Sequence, residues 1–401
     1  MSTDFTPAAD DVVIVDGART PVGRFNGSLS QFSASDLGGK AIAAVLERTG
    51  VAPDAIDSVV MGHVLTAGEG QSAARNAAVK GGVPMHVNAT TVNKVCLSGM
   101  QAINYAAMQV MTGQASTVIA GGMESMSNSP HLLLKSRTGY GYGSGKLVDS
   151  LEYDGLTCAV ESKIMGEATD IYAAADSISR DDQDAFAAAS HDRAARAIKD
   201  GLLRSETFTM SVPQRKADPI DFEDDEGVRA GTDAASLAKL RAAFVQDGTI
   251  TAGNASQLSD GASAMIVTTR ANAEALGVDP LATVLGYGMV AGPDNCSLLH
   301  QPSRAIMAAA ERAGVDVNDI DLFEINEAFA AVGLASAAEL GVSTDVVNVN
   351  GGAIAIGHPL GMSGNRITLT LLHELRRRGG GIGAAGLCGG GGQGDAIIVK
   401  V

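Results

Sequence analysis

Basic residues are scarce in this chain: 29 lysines and arginines stand against 45 aspartates and glutamates, leaving a formal charge of -16. Nucleic-acid binding needs a concentrated basic surface to meet phosphates, so that class is excluded, and an anionic ligand would have to be met by a few local cations. Cysteines are few as well. Those at 96, 158, 296 and 388 are too dispersed for a CxxC site and too few to staple 401 residues, so reduced thiols in the cytoplasm are expected. The seven histidines form no HExxH motif and no i, i+4 pair with a cysteine or carboxylate, and no metal is expected. No apolar run reaches the length of a bilayer span. The longest, near Ala328 to Ala338, is Ala-rich and reads as a buried helix. The first residues, MSTDFTPAADD, are acidic and lack a basic stretch followed by an apolar one. Neither a signal peptide nor a transit peptide is expected, and the mature chain is read as starting there.

What is present is core-forming material. Hydrophobic residues make up 45% of the chain and charged ones 18%, which suits a compact fold, and 401 residues exceed what one core usually holds, so two or three packed units are expected. The 49 glycines fall in short clusters within mixed sequence, the mark of tight turns and close backbone approaches. Short β-rich runs (Val12 to Val15, Val59 to Val60, Val118 to Gly121) alternate with helical stretches (Leu37 to Arg48, Gln71 to Val79), the rhythm of an α/β protein. From 130 to 252 the pattern changes, with Gly-Tyr repeats, the acidic run Asp221 to Glu226 and a helical stretch at Gln183 to Lys199; this reads as an insertion. Afterwards the rhythm resumes, with strands at Ala264 to Thr268, Ala282 to Tyr287 and Leu322 to Glu324 and a helix at Pro302 to Ala313.

Two parts of the chain share a spacing. Ser98-Gly99 opens a helical stretch with apolar Ile103, Ala106, Ala107, Val110 and Met111, and Gly121 follows 23 positions after the serine. Ser363-Gly364 opens another, with Ile367, Leu371 and Leu375, and Gly386 follows at the same interval. The residue similarity is thin enough for chance to remain the alternative. Otherwise these are two copies of one strand-turn-helix-strand unit, and two fused halves follow.

Four segments carry chemistry. Cys96 lies in Asn93-Lys94-Val95-Cys96-Leu97-Ser98-Gly99, after a β-like run and before a helix, where the helix N-terminus should lower a thiol's pKa. A small buried hydrophobe would occupy the same address. His358 sits in a glycine-flanked loop, Asn350-Gly351-Gly352 to Gly361, with Pro359 restraining its backbone. A fixed imidazole suits a base, although a structural role fits a lone His before Pro as well. Cys388 is followed by four glycines, 389 to 392, whose bare backbone can bring N–H groups to an oxyanion or can simply form a flexible turn. Asn326 and Glu327 stand between apolar neighbours where a strand meets a helix, and Asn326 there is a polar site group or an N-cap.

Together, in this order and at these intervals, and with Gly17-Ala18-Arg19-Thr20-Pro21 and Ala120-Gly121-Gly122-Met123-Glu124-Ser125-Met126, these segments resemble the thiolase family over nearly the whole chain. Lys94-Val95-Cys96-Leu97-Ser98-Gly99 is more similar to its biosynthetic acetoacetyl-CoA branch than to its long-chain degradative members. The resemblance implies an α/β thiolase fold: two similar βαβαβαββ halves in a five-layered α-β-α-β-α core, 1–129 with 253–277 and 278–401, and an inserted loop domain at 130–252. It implies an acetyl-CoA C-acetyltransferase of fatty-acid metabolism, making acetoacetyl-CoA and CoA from two acetyl-CoA or the reverse. Cys96 would carry the acetyl group, His358 would activate it, and Cys388 would take the carbon-bound proton. Asn326 would hold a water on the enolate oxygen, and the N–H groups of Cys96 and Gly390 would hold the tetrahedral oxyanion. Arg229 would meet the nucleotide phosphates of CoA, with Ser236 close by and Ser256 on the pantetheine arm; the acidic run beside Arg229 reads otherwise as a solvated face. The resemblance further implies a homotetramer, and no cofactor beyond the CoA thioester substrate.

Two departures stand out. Ile164-Met165-Gly166 replaces a His-Met-Gly common in biosynthetic members, and the segment Gly286 to Cys296 is longer than the usual turn there. Both bear on acyl-chain preference. Cys158 and Cys296 match no catalytic motif and are expected to be structural. The rival readings are a 3-ketoacyl-CoA thiolase for longer chains, a ketoacyl synthase-like enzyme or acyl-CoA hydrolase on the same fold, and a non-catalytic CoA or lipid carrier.

Overall fold

Val12 to Val15 is an unbroken β-branched run, and it opens strand β1 (Val12–Arg19) in a computed structural model that describes residues 6–401. The reading of the first residues as the mature start falls partly outside them. Chain order then gives α1 (Ala34–Thr49), β2 (Ser58–Gly62), α2 (Ala73–Lys80), β3 (Asn88–Val92), α3 (Ser98–Met111) and β4 (Thr117–Ser125). Helices α4 (Met165–Ala175) and α5 (Arg180–Lys199) lie in the intervening region, and β5 (Ser259–Thr269) returns beside β4 and β1. The Ser33 hydroxyl and the Asp36 carboxylate start α1 with a reciprocal capping box, and Gly50 in the left-handed region ends it.

The second half repeats the first. It runs β6 (Ala282–Ala291), α6 (Gln301–Ala313), β7 (Leu322–Ile325), α7 (Ala330–Leu340), α8 (Ser363–Arg378), β8 (Ile382–Gly389) and β9 (Gln393–Lys400). In each half a parallel pair (β2 with β4, β7 with β8) is followed by antiparallel neighbours, giving the orders β3-β2-β4-β5-β1 and β7-β8-β9-β6. The third strand of the second half is reduced to a single parallel bridge between Phe323 and Val347. The two sheets also touch: Val13 pairs with Thr283 and Ile14 with Ala282, so hydrogen bonding runs continuously through ten strands, the two-residue Gly23–Arg24 included.

Five layers result. Met100, Ile103, Ala106, Ala107 and Val110 of α3 and Ile367, Leu371 and Leu375 of α8 fill the space between the sheets, against Val118 on one side and Leu387 and Ile397 on the other. Helices α1 and α2 cover the outside of the first sheet, and α6 and α7 the outside of the second. Met111, which the spacing puts on the buried face of α3, ends the helix and is exposed. Helices α3 and α8 cross on glycine: a Cβ on Gly364 would lie 2.4 Å from the Met100 nitrogen, and one on Gly99 2.8 Å from the Gly361 oxygen. Gly364→Ala should therefore destabilise the protein by about 1–3 kcal/mol, the usual cost of overpacking, read as a lowered midpoint of denaturant unfolding.

The acidic run is not a solvated face throughout. Asp225 and Glu206 close a buried ion pair on Arg19, each 2.7 Å away, and this pair ties the region after β4 back to β1. Among the described residues no helix is long and apolar enough to cross a membrane.

Candidate active site

Cys96 stands at a sharp elbow between β3 and α3. Val95 has φ +52, the left-handed region that a β-branched residue avoids. The turn is over-determined by hydrogen bonds: Asn93 Oδ1 accepts the Val95 N–H at 3.0 Å, and Ser98 Oγ accepts the Lys94 N–H at 2.8 Å while donating to Val95 O at 2.6 Å. Lys94 is fastened in turn to Asp395 at 2.7 Å. The expected lowering of the thiol's pKa does not occur. Burial pushes Cys96 up to about 12, and the N–H groups of Cys96 and Gly390, which hydrogen-bond its sulfur, only partly oppose that. The walls responsible are apolar, with Val64, Leu65, Met126, Leu151 and Leu360 around the half-buried sulfur.

Cys388 comes from the far end of β8 and is buried. Leu97 packs on Gly389 and Val95 on Gly390, so the residues on either side of Cys96 rest on the glycines that follow Cys388. Burial raises the Cys388 thiol and the nearby Cys96 sulfur raises it further. The glycine run is a tight β8–β9 hairpin turn, with Gly391 at φ +80 and Gly392 at φ +69. A side chain on Gly392 would strike Cys296 Cα at 2.7 Å, so the long 286–296 segment lies directly against this turn.

His358 reaches the site on the loop between the one-turn helix Ala353–Ile356 and α8. Its backbone N–H donates to Gln257 O at 3.1 Å, its Nδ1 lies 2.6 Å from Ser363 Oγ, and its Nε2 lies 3.4 Å from Asn326 Nδ2. Burial and the Arg366 guanidinium hold its pKa at about 3, so the ring is neutral at physiological pH. Asn326 is not an N-cap, since α7 begins at Ala330 with Phe329 capping. Its Oδ1 is buried and has no hydrogen-bond partner among the described residues. Glu124, silent in the sequence beyond its motif, binds the loop from below: its carboxylate accepts the N–H groups of Val64, Leu65 and Gly361 at 3.2, 3.0 and 2.9 Å.

The residues expected to meet CoA differ in exposure and in what holds them. Ser256 is half-buried, and its N–H donates to Ala328 O at 3.0 Å. Gln257, next to it, reaches Gly227 O at 3.0 Å, and Arg229 lies exposed two residues beyond Gly227. Burial and Arg229 lower the His191 pKa to about 4, while the Arg229 backbone N–H donates to that ring at 3.2 Å. Ser236 is exposed, and its hydroxyl closes a capping box with Asp233. A cleft of about 610 Å³ lined by Val95, Thr157, Cys158, Met165, Gly390 and Gln393 opens beside the Cys96 turn. Ile164 is the half-buried residue preceding α4. Cys158 and Cys296 are both buried, and Glu161 accepts the Cys296 N–H at 3.0 Å. Among the described residues no group of three or more His, Cys, Asp or Glu could hold a metal ion.

Two similar half-folds, each contributing a cysteine where they meet, define a class. The chain belongs to the thiolase family of acyltransferases: residues 12–271 match the thiolase N-terminal domain and residues 278–401 the thiolase C-terminal domain. It is 54% identical over 388 residues to the probable acetyl-CoA acetyltransferase of Mycolicibacterium smegmatis (97% of this chain, 100% of that one). It is 48% identical over 390 residues to the acetyl-CoA acetyltransferase of Cupriavidus necator (97% and 99%). The crystal structure of the Bacillus anthracis acetyl-CoA acetyltransferase superposes with a TM-score of 0.95 at 37% identity, covering 98% of this chain and all of that one.

Proposed function

We propose that this chain is an acetyl-CoA C-acetyltransferase that interconverts two acetyl-CoA with acetoacetyl-CoA and CoA through an acetyl-cysteine. The observation that carries the reading is the meeting of the two halves at the cysteines, where Val95 and Leu97, on either side of Cys96, pack on the glycines that follow Cys388. Neutral His358 takes the Cys96 proton at Nε2 as the sulfur attacks the thioester carbonyl, and the tetrahedral oxyanion falls to the N–H groups of Cys96 and Gly390. Collapse expels CoA, which leaves with the proton from His358. Cys388 then surrenders its own proton to His358 and removes one from the methyl carbon of the second acetyl-CoA. His358, with a water on Asn326, stabilises the enolate oxygen. The carbanion attacks acetyl-Cys96, and the released sulfur recovers its proton from His358, so the protons balance. In thiolysis the steps reverse, and the raised pKa of Cys388 suits it to protonate the departing carbanion.

Asn326→Ala should reduce turnover by about 10²- to 10³-fold, the loss expected for one oxyanion donor; near-normal turnover in the acetoacetyl-CoA thiolysis assay would remove Asn326 from the mechanism. Arg229, Ser236 and Ser256 are our assignments for CoA, supported by the exposed cation of Arg229 and the run from it through Gln257 to His358. We retain the division into 1–129 with 253–277, 130–252 and 278–401. A homotetramer is supported by the exposed apolar residues Leu133, Leu134, Tyr142 and Leu147, and a reducing cytoplasm by four free cysteines. Steady-state rates with acetoacetyl-CoA against longer 3-ketoacyl-CoAs test the substrate. Faster turnover of the longer chains would move the protein to the degradative branch.

A further inference from the structure

The base in this mechanism must present a lone pair at Nε2, and the group behind the ring decides whether it does. His358 Nδ1 lies 2.6 Å from Ser363 Oγ, and the same oxygen lies 2.9 Å from the carbonyl of Pro359. A hydroxyl has one proton and a carbonyl only accepts. With the Ser363 proton directed to Pro359 O, the remaining lone pairs of Oγ face Nδ1, which must then carry a hydrogen. The opposite side of the ring agrees, since Nε2 faces the amide nitrogen of Asn326, a donor, at 3.4 Å.

The duplicated half holds a parallel to this hydroxyl. Ser98 opens α3 as Ser363 opens α8. Ser98 Oγ donates to Val95 O at 2.6 Å and accepts the Lys94 N–H at 2.8 Å, two partners that leave no choice of direction. The partners are not equivalent by position, since Val95 falls on Leu360 and Lys94 on Pro359, which has no N–H. What the second half keeps is a serine hydroxyl donating back to a carbonyl of the preceding turn, here Pro359 O at 2.9 Å, which leaves Nδ1–H to donate to Ser363 Oγ. His358 and Ser363 are both buried, so bulk water offers little competition for either bond.

We propose that Ser363 is a positioning residue that fixes His358 in its Nδ1–H tautomer, so that Nε2 carries the lone pair a base needs. The inference rests on the functional reading above, but its first test does not. In full-length protein labelled with ¹⁵N-histidine, the His358 resonances should show a protonated Nδ1 and a bare Nε2 at neutral pH. Ser363→Ala should populate the Nε2–H tautomer and lower kcat by about 10- to 100-fold with little change in KM, the range for losing a group that orients a histidine ring. Ser363→Thr, which keeps the hydroxyl, should restore both the tautomer and most of the turnover. A wild-type spectrum dominated by Nε2–H overturns the proposal even if no variant folds, and so does a Ser363→Ala protein that remains wholly Nδ1–H. If wild-type protein shows the Nδ1–H form but transfers no acetyl group, the functional reading fails while the tautomer assignment stands.

Discussion

Cys96→Ala should leave a folded protein that forms no acetyl-enzyme and has lost turnover by at least about 10⁴-fold, the scale on which removal of a covalent nucleophile is felt. The fold should survive because the side chain is small, lies at the rim of an apolar cluster and makes no structural hydrogen bond to another side chain. The elbow itself is held by Asn93, Lys94 and Ser98. Chemistry should not survive, because the oxyanion donors would then surround a methyl group. Mass spectrometry of intact protein after acetyl-CoA is the direct measurement: a stoichiometric acetyl adduct on wild type and none on the variant. An adduct that persists in Cys96→Ala, mapped to another residue, would transfer the role elsewhere.

Cys388→Ala separates the two half-reactions. In the proposed mechanism acetylation of Cys96 uses His358 and the N–H groups of Cys96 and Gly390, and none of these belongs to the Cys388 side chain. The variant should therefore accumulate acetyl-Cys96 yet lose condensation by about 10²- to 10⁴-fold, the contribution of a positioned general base. The readouts are the adduct by mass and acetoacetyl-CoA formation by rate. Loss of acetylation together with condensation would mean that the Cys388 sulfur serves the first step too, and the division of labour would have to be redrawn.

Local pattern carried much of this into the sequence. The β-branched runs and Ala-rich helices announced the α/β alternation, and the Ser-Gly spacing announced the two halves, because a strand–helix–strand unit needs a fixed number of residues to cross a sheet. Cys96 before a helix, His358 in a glycine loop and Cys388 before four glycines were visible because their neighbours are unusual. What stayed hidden depends on contacts between distant residues. The helix N-terminus suggested an acidic thiol, but the walls that bury Cys96 come from residues as far along as Leu360, and desolvation outweighs a terminal dipole. Asp225 looked like one more solvated acid until Arg19, about two hundred residues earlier, was found against it. Val95 gave no turn signal, since strain at a β-branched residue is imposed by surroundings and not by propensity. The missing third strand of the second half likewise left no local mark.

Laid over one another by the shift that brings Ser98 onto Ser363, the halves differ where it matters. Cys96 falls on Gly361, Asn93 on His358, and Met123 on Cys388. A near-symmetric scaffold thus carries a lopsided set of side chains, and in the proposed mechanism one half anchors the acyl group while the other moves protons. The halves differ in three exchanged side-chain pairs and in an elbow strained at Val95 of the first half and not at Leu360 of the second.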